Sequence, residues 1–363
     1  MNEVMNKTVL IMAGGTGGHV FPALALAEKL QVTGQRVLWL GTRKGIEARL
    51  VPQSGIPLHY LSVEGVRGRG ILGLVKAPFL ILLALVQAMG VVRRERVDLV
   101  VGFGGFASGP GGLAAFLLRK PLVIHEQNAI AGTTNRLLMR LTQHRLMAFP
   151  EALPEGKLVG NPVRDSIVAL PEPQARYATR AAEKSRIRLL VLGGSLGARA
   201  INQLVPRALS ELPVDERPEV WHQAGRDHAQ ETLASYLEYQ VNARVEAFIE
   251  DMAVAYAWAD VIVCRAGALT IAELTAAGVA ALLIPLPNAI DDHQTWNAHY
   301  LQKADAALVF AQAELSEERL AALLLTELRD RTRLLAMAEN ARKLAMPDAS
   351  TSLANYCLEV LRG

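Results

Sequence analysis

The sequence predicts an α/β protein built from two parallel-sheet domains. Three observations predict it. Short apolar runs rich in β-branched residues alternate with helix-like segments along the whole chain. Each half opens on the same unit of strand, glycine turn and helix: "VLIMAGGTGGHVFPALALAEKL" from residue 9 and "LLVLGGSLGARAINQLVPRALSEL" from residue 189. And 363 residues exceed one ordinary core but suit two.

The elements follow in order. "TVLIMA" (8–13), "RVLWLG" (36–41), "DLVVGF" (98–103) and "PLVIHE" (121–126) read as strands. Being apolar on both faces, they belong in a covered parallel sheet. "PALALAEKLQV" (22–32) and "PGGLAAFLLRK" (110–120) read as helices. The second half repeats the rhythm with strands at 187–194, 219–225, 243–249, 260–267 and 280–286. Between the halves, 161–186 carries several prolines and many charges. The expected domains are therefore 7–165 and 187–338, joined by a linker at 166–186.

Composition is that of a globular protein, with 51% hydrophobic and 20% charged residues. The N-terminal stretch lacks a basic region followed by an apolar one and a cleavage site, so no export signal is expected. Cys264 and Cys357 lie far apart without metal-ligand spacing, which suits a reducing compartment and no disulfide framework. The net charge of +3 conceals an asymmetry. Residues 1–165 hold 19 basic and 10 acidic side chains; residues 166–363 hold 19 and 25. That is either scatter over two solvated surfaces or a first half that faces something anionic.

A glycine turn between strand and helix lets backbone approach a ligand, and the helix N-terminus suits an anion such as phosphate. "GGTGGH" and "GGSLGA" both qualify. A third glycine loop, "GFGGFASGPGG" (102–112), follows a strand of the first half and can line the same cleft. A dinucleotide-binding unit needs an acid at the end of its second strand, but that strand here ends "LWLGTRKG". No GxxxxGK[ST] occurs either. Dehydrogenase and P-loop readings are thereby disfavoured.

Eight segments together carry a family resemblance: "AGGTGGHVFPALA", "GGFASGPGGLAA", "VIHEQNAIAG", "VGNPVR", "LGGSLGA", "WHQAG", "FIEDMAVAYAWADVIVCRAGALTIAEL" and "DDHQTWNA". In this order the chain closely resembles the bacterial N-acetylglucosaminyltransferases of peptidoglycan synthesis. The resemblance implies the GT-B fold, two Rossmann-like domains facing a cleft, with residues 339–363 forming helices that return to the first domain. It also implies inverting transfer of N-acetylglucosamine from its UDP donor to the muramyl 4-hydroxyl of undecaprenyl-pyrophosphoryl-MurNAc-pentapeptide (lipid I), forming lipid II. Implied partners are the donor, lipid I, an anionic membrane surface on the cytoplasmic face of the inner membrane, and cell-wall synthesis and division proteins. No cofactor, required metal or nucleic acid is expected.

The resemblance makes His19 the catalytic candidate. An imidazole with an ordinary pKa near 6.5 can take the acceptor's proton, though a histidine here can also simply pack at a helix start. Thr16, Gly17 and Gly18 match the loop that contacts the UDP-sugar or the acceptor pyrophosphate. Further donor-binding candidates are Asn128, Arg164, Ser195, Ile249 (through its backbone) and Gln294, with the run Ala268, Leu269, Thr270, Ile271, Ala272 and Glu273. Simpler roles exist for several. "TIAE" forms a capping box with Thr270 as N-cap and Glu273 three residues on. Ser195 can cap a helix, and Arg164 can form an ordinary hinge ion pair. The acid pairs Glu250-Asp251 and Asp291-Asp292 lack a third ligand at metal spacing, so they read as solvated or helix-terminal charge.

Residues 71–96 are apolar but interrupted by Lys76, Pro78 and Gln87, too short to span a bilayer. One face must be core. Ile71, Leu72, Leu74, Val75, Lys76, Phe79 and Leu83 are expected on a membrane surface, flanked by Arg67, Arg69, Arg93 and Arg94. Two other classes stay open: a different enzyme on this fold, such as a UDP-sugar epimerase or glycolipid synthase, and a non-catalytic sugar-nucleotide sensor.

Overall fold

The computed structural model describes residues 6–62, 70–182, 185–194, 197–287 and 289–363; for residues 70–77 and 290 it describes the backbone. The chain forms two compact units: Met1–Pro162 with Asp348–Gly363, and Val163–Pro347.

The first unit runs β1 (Thr8–Met12), α1 (Gly17–Val32), β2 (Arg36–Gly41), α2 (Glu47–Gln53), β3 (Leu58–Tyr60), α3 (Gly70–Arg94), β4 (Leu99–Gly102), α4 (Ser108–Leu117), β5 (Leu122–Glu126), α5 (Thr133–Leu138), β6 (His144–Met147) and β7 (Lys157–Leu158). Its strands lie in the order β3-β2-β1-β4-β5-β6-β7, every neighbouring pair parallel. β1 sits inside the sheet, with Val9 opposite Val37 on one side and Leu99 on the other. All five of its residues are buried, as its unbroken apolar run requires. α1 begins at Gly17, five residues earlier than the apolar pattern suggests. The Thr16 carbonyl accepts from the His19 and Val20 amides and starts the helix ahead of Pro22.

The second unit runs α6 (Asp165–Val168), α7 (Pro173–Ala182), β8 (Arg188–Leu192), α8 (Arg199–Ser210), β9 (Glu219–Gln223), α9 (Ala229–Glu238), β10 (Arg244–Glu246), α10 (Met252–Trp258), β11 (Val261–Cys264), α11 (Ala268–Ala277), β12 (Ala280–Leu283), α12 (His293–Gln302), β13 (Ala307–Val309), α13 (Glu317–Thr326) and α14 (Arg331–Lys343). Its all-parallel order is β10-β9-β8-β11-β12-β13. The stretch expected as a linker, 166–186, holds α6 and α7, and α7 is firmly anchored in this unit. Arg180 bonds the fully buried Asp260 at 2.6 Å, the Tyr177 hydroxyl donates to the Asp260 carbonyl, and Arg176 donates to the Gly278 carbonyl at 2.6 Å. Charges that look solvated in the sequence are here buried and paired.

The last helix, α15 (Ala349–Arg362), belongs to the first unit. Its Leu353, Ala354 and Cys357 enter the same core as Val9, Ile11 and Leu26.

Each sheet reverses its strand order once, between β1 and β4 and between β8 and β11. In open α/β sheets the carboxyl ends of the strands at such a reversal are where ligands bind. The first and third glycine loops emerge from one reversal, the second glycine loop and the 265–270 turn from the other.

Candidate active site

In the first unit, the loops after β1 and β4 interlock. The Phe103 amide donates to the Met12 carbonyl at 2.9 Å, and the buried Ser108 hydroxyl bonds the carbonyls of Met12 and Gly104. Gly105 has φ +81°, and a Cβ there would lie 2.5 Å from the Gly14 carbonyl oxygen. Only glycine permits this approach. His19 sits in the first turn of α1, half-buried, with Nδ1 3.5 Å from the Thr16 hydroxyl. Its ring edge lies over Gly104, where a Cβ would stand 3.2 Å from Nε2. Gly17 and Gly18 form the two residues before it in the same turn.

Glu47 is a residue the sequence reading missed. Its side chain is fully buried at the start of α2. One carboxylate oxygen accepts from the Gly15 amide at 3.0 Å. The other accepts from the Thr42 amide at 2.9 Å and the Thr42 hydroxyl at 2.8 Å. Three glycines make room for it: a Cβ on Gly14 or Gly41 would lie 2.6 or 2.7 Å from its atoms, and one on Gly45 would collide outright. The acid absent from the end of β2 thus arrives six residues later and points at the first glycine loop from within the protein.

At the end of β5, "HEQN" forms a second buried polar cluster. Glu126 accepts from the Asn128 amide at 3.0 Å, the Asn128 carboxamide at 3.2 Å, the Gly132 amide at 3.0 Å and Asn135 at 2.9 Å. His125 and Gln127 are equally buried. Desolvation pushes His125 down to about 4, and it bonds the Gly160 carbonyl and Gln127. His222 is pushed by burial to about 3 and bonds Tyr236 and Asn202. Both imidazoles are neutral framework groups near neutral pH. Burial pushes Cys264 and Cys357 up to about 12, so neither is a nucleophile at neutral pH.

In the second unit, α8 starts at Arg199 with Ala198 as its N-cap; Ser195 lies outside the described residues. Gly197 has φ +80°, and a Cβ there would collide with the Ala224 carbonyl. The Ile249 amide donates to the Gln223 side chain at 2.9 Å. Gln294, in the first turn of α12, accepts from the Leu286 amide at 3.0 Å.

α11 begins at Ala268 with Gly267 as N-cap. Thr270 is therefore inside the helix and caps nothing, and the capping-box explanation of Glu273 fails. Ala268, Leu269 and Thr270 form the first turn. Ile271, Ala272 and Glu273 follow in the next turn. Glu273 is held on both oxygens: Arg164 donates to one at 2.8 Å and the buried Tyr256 hydroxyl to the other at 2.9 Å. Arg164, the N-cap of α6, is half-exposed.

The acid pairs have other work. Asp251 caps α10 through the Ala253 and Val254 amides, and Asp292 accepts from Thr295. Among the described residues no group of three His, Cys, Asp or Glu side chains converges as a metal site needs.

On α3, Phe79, Leu82, Leu83 and Val86 are exposed, while Ala84, Ala88, Val91 and Val92 are buried. These four fall at i, i+3, i+4 and i+7, an apolar stripe, and Ile81, also exposed, lies off it. α3 packs on α4, which adds the exposed Phe116 and Leu117. The side chains of Ile71, Leu72, Leu74, Val75 and Lys76, and all of Arg67 and Arg69, lie outside the described residues. Among the described residues no helix is long and apolar enough to cross a membrane.

Family models match both units: the glycosyltransferase family 28 N-terminal domain over residues 9–146 and its C-terminal domain over 188–353. A "UDP-N-acetylglucosamine--N-acetylmuramyl-(pentapeptide) pyrophosphoryl-undecaprenol N-acetylglucosamine transferase" of Cellvibrio japonicus is 61% identical, covering 98% of this chain and 99% of that one. One of Alkalilimnicola ehrlichii is 54% identical over 99% and 100%. The crystal structure of Acinetobacter baumannii MurG superposes with a TM-score of 0.84 at 43% identity, covering 96% of this chain and 98% of that one. With both units matched in order and relatives similar along their full length, the chain belongs to glycosyltransferase family 28, among its N-acetylmuramyl-(pentapeptide) pyrophosphoryl-undecaprenol N-acetylglucosamine transferases.

Proposed function

We propose that the chain transfers N-acetylglucosamine from UDP-N-acetylglucosamine to the muramyl 4-hydroxyl of lipid I, with inversion, forming lipid II. The observation that carries this reading is the full-length similarity to transferases bearing that name. The site geometry supplies the roles. The acceptor hydroxyl attacks the anomeric carbon as UDP departs. His19 takes the proton, its Nδ1 lying 3.5 Å from the Thr16 hydroxyl. Thr16, Gly17, Gly18 and Asn128 contact the sugar nucleotide from the first unit.

In the second unit, Glu273 receives the ribose hydroxyls, the Ile249 carbonyl faces the uracil edge, and Gln294 meets sugar hydroxyls. The first-turn amides of α11, with Ser195 and Arg164, take up charge on the leaving diphosphate. No step requires a metal ion. The apolar stripe of α3 and the basic first half dock the protein peripherally on the anionic cytoplasmic face of the inner membrane, where the acceptor's pyrophosphate lies. Cell-wall synthesis and division proteins are the expected company there.

A transfer assay with radiolabelled UDP-N-acetylglucosamine and a lipid I analogue tests the reading. Label appearing in the lipid-linked product, at the 4-hydroxyl and with inverted anomeric configuration, is the expected result. Donor binding without transfer, or C4 epimerisation without an acceptor, refutes it.

A further inference from the structure

Tyr256 has a hydroxyl that packing does not explain. The residue is fully buried in α10, where a phenylalanine would fill the same space without the cost of desolvating a hydroxyl. That hydroxyl makes one described contact, donating to Glu273 at 2.9 Å. Burial first, and the neighbouring carboxylate second, push it well above the ordinary tyrosine range, so it stays a proton donor across the working pH range.

The two partners of Glu273 differ in kind. Arg164 is half-exposed and reaches the carboxylate with a single nitrogen, a pair that water and ligand can exchange. Tyr256 is enclosed and cannot leave. The final torsion of a glutamate is soft, so an unrestrained carboxylate presents its plane in many orientations. Two vicinal hydroxyls need one orientation. A fixed donor on one oxygen supplies it, while the oxygen facing Arg164 stays open to exchange.

We propose that Tyr256 is a positioning residue for donor recognition: its hydroxyl orients the Glu273 carboxylate toward the ribose diol and so sets the preference for a ribonucleotide over a 2′-deoxyribonucleotide. The inference rests on the reading of Glu273 as the ribose ligand.

Calorimetric titration with UDP and with 2′-deoxy-UDP tests it in the wild type, Tyr256→Phe, Glu273→Ala and the double variant. Tyr256→Phe should weaken UDP roughly three- to tenfold, the value of one hydrogen bond, and move 2′-deoxy-UDP less than about twofold. In the Glu273→Ala background it should change neither ligand. Equal weakening of both ligands by Tyr256→Phe marks a packing effect and overturns the proposal, as does no change in either. If Glu273→Ala leaves the ratio of the two affinities at its wild-type value, the ribose reading itself has failed and the proposal falls with it. Should Tyr256→Phe not fold, Glu273→Asp serves, since it withdraws the carboxylate from the tyrosine. Loss of UDP preference is then expected, and an unchanged ratio again overturns the proposal.

Discussion

Glu47 is the most exacting test of how the first unit is built. Replace it with alanine and three hydrogen bonds go at once. Gly15 is exposed, so water can recover its amide. Thr42 is buried, so its amide is orphaned at a cost of about 1–3 kcal/mol. The vacated volume among Gly14, Gly41 and Gly45 adds a cavity term of about 1–2 kcal/mol. The sum, roughly 2–5 kcal/mol, lowers the melting temperature of a unit this size by about 4–20 °C.

Glu47→Gln separates the contributions. Its amide oxygen still serves both Thr42 donors, and its NH2 group now faces the Gly15 amide, donor against donor. One bond is lost at a hydrated edge, about 1–2 kcal/mol, or roughly 2–8 °C. Differential scanning calorimetry reads the midpoints, and amide hydrogen exchange reads Thr42 and Gly15 individually. Glu47→Ala should accelerate exchange at both amides, Glu47→Gln at Gly15 alone. Equal destabilisation by the two variants, or wild-type exchange at Gly15 in Glu47→Gln, would refute the account of an internal carboxylate holding the glycine loop.

His19→Ala should cut kcat roughly 10²–10⁴-fold while UDP affinity, measured by calorimetry, stays within about twofold; near-normal turnover removes His19 from the proton transfer. Thr270→Ala should leave the melting temperature nearly unchanged, because Thr270 caps nothing; a loss near the usual ~1 kcal/mol for a cap would restore the capping box. Stability in urea should fall as pH drops below 6.5, because the unfolded chain gains protons on His125 and His222 that the folded chain refuses down to about 4 and about 3. His125 alone contributes roughly 3 kcal/mol of that loss by pH 4, a His222→Gln variant should show a shallower slope, and a flat profile between pH 7 and 5 contradicts the assignment. Vesicle sedimentation should show binding to anionic bilayers that weakens with salt, and weakens further when Phe79, Leu82 and Val86 become serine; equal binding to neutral and anionic vesicles rejects the docking face.

The two sheets were legible because their central strands are apolar on both faces, which in a chain of this length has few other uses. β3, β6, β7 and β13 were not, since strands of two to four residues such as "LHY" and "KL" carry too little pattern. Helix starts were misplaced where glycine begins or caps a helix, as at Gly17 and Gly267, because propensity argues against it while an N-terminal turn tolerates it. The burial of Arg176 and Arg180 could not be read at all, as nothing local distinguishes a paired arginine from a solvated one. Among functional candidates, motif matching proposed His19, Arg164 and Glu273. It missed Glu47, Glu126 and Tyr256, whose roles come from partners brought together by the fold. One signal for Glu47 was available: Gly41, Gly45 and the first loop surround its position with residues that have no side chain.

The helix α15 carries a consequence for the order in which this protein is made. Its Leu353, Ala354 and Cys357 complete a core whose strands were synthesised first. The ribosome must deliver residues 163–347 in between. At about 5–20 residues per second that interval is roughly 10–40 s, long enough for the enclosed unit to form while its predecessor waits with an open flank of apolar surface. The first half of the polypeptide is therefore the last to be finished. During that wait it is the natural client of whatever holds nascent chains apart, and premature termination before Leu353 would spare the second unit and leave the first unsealed.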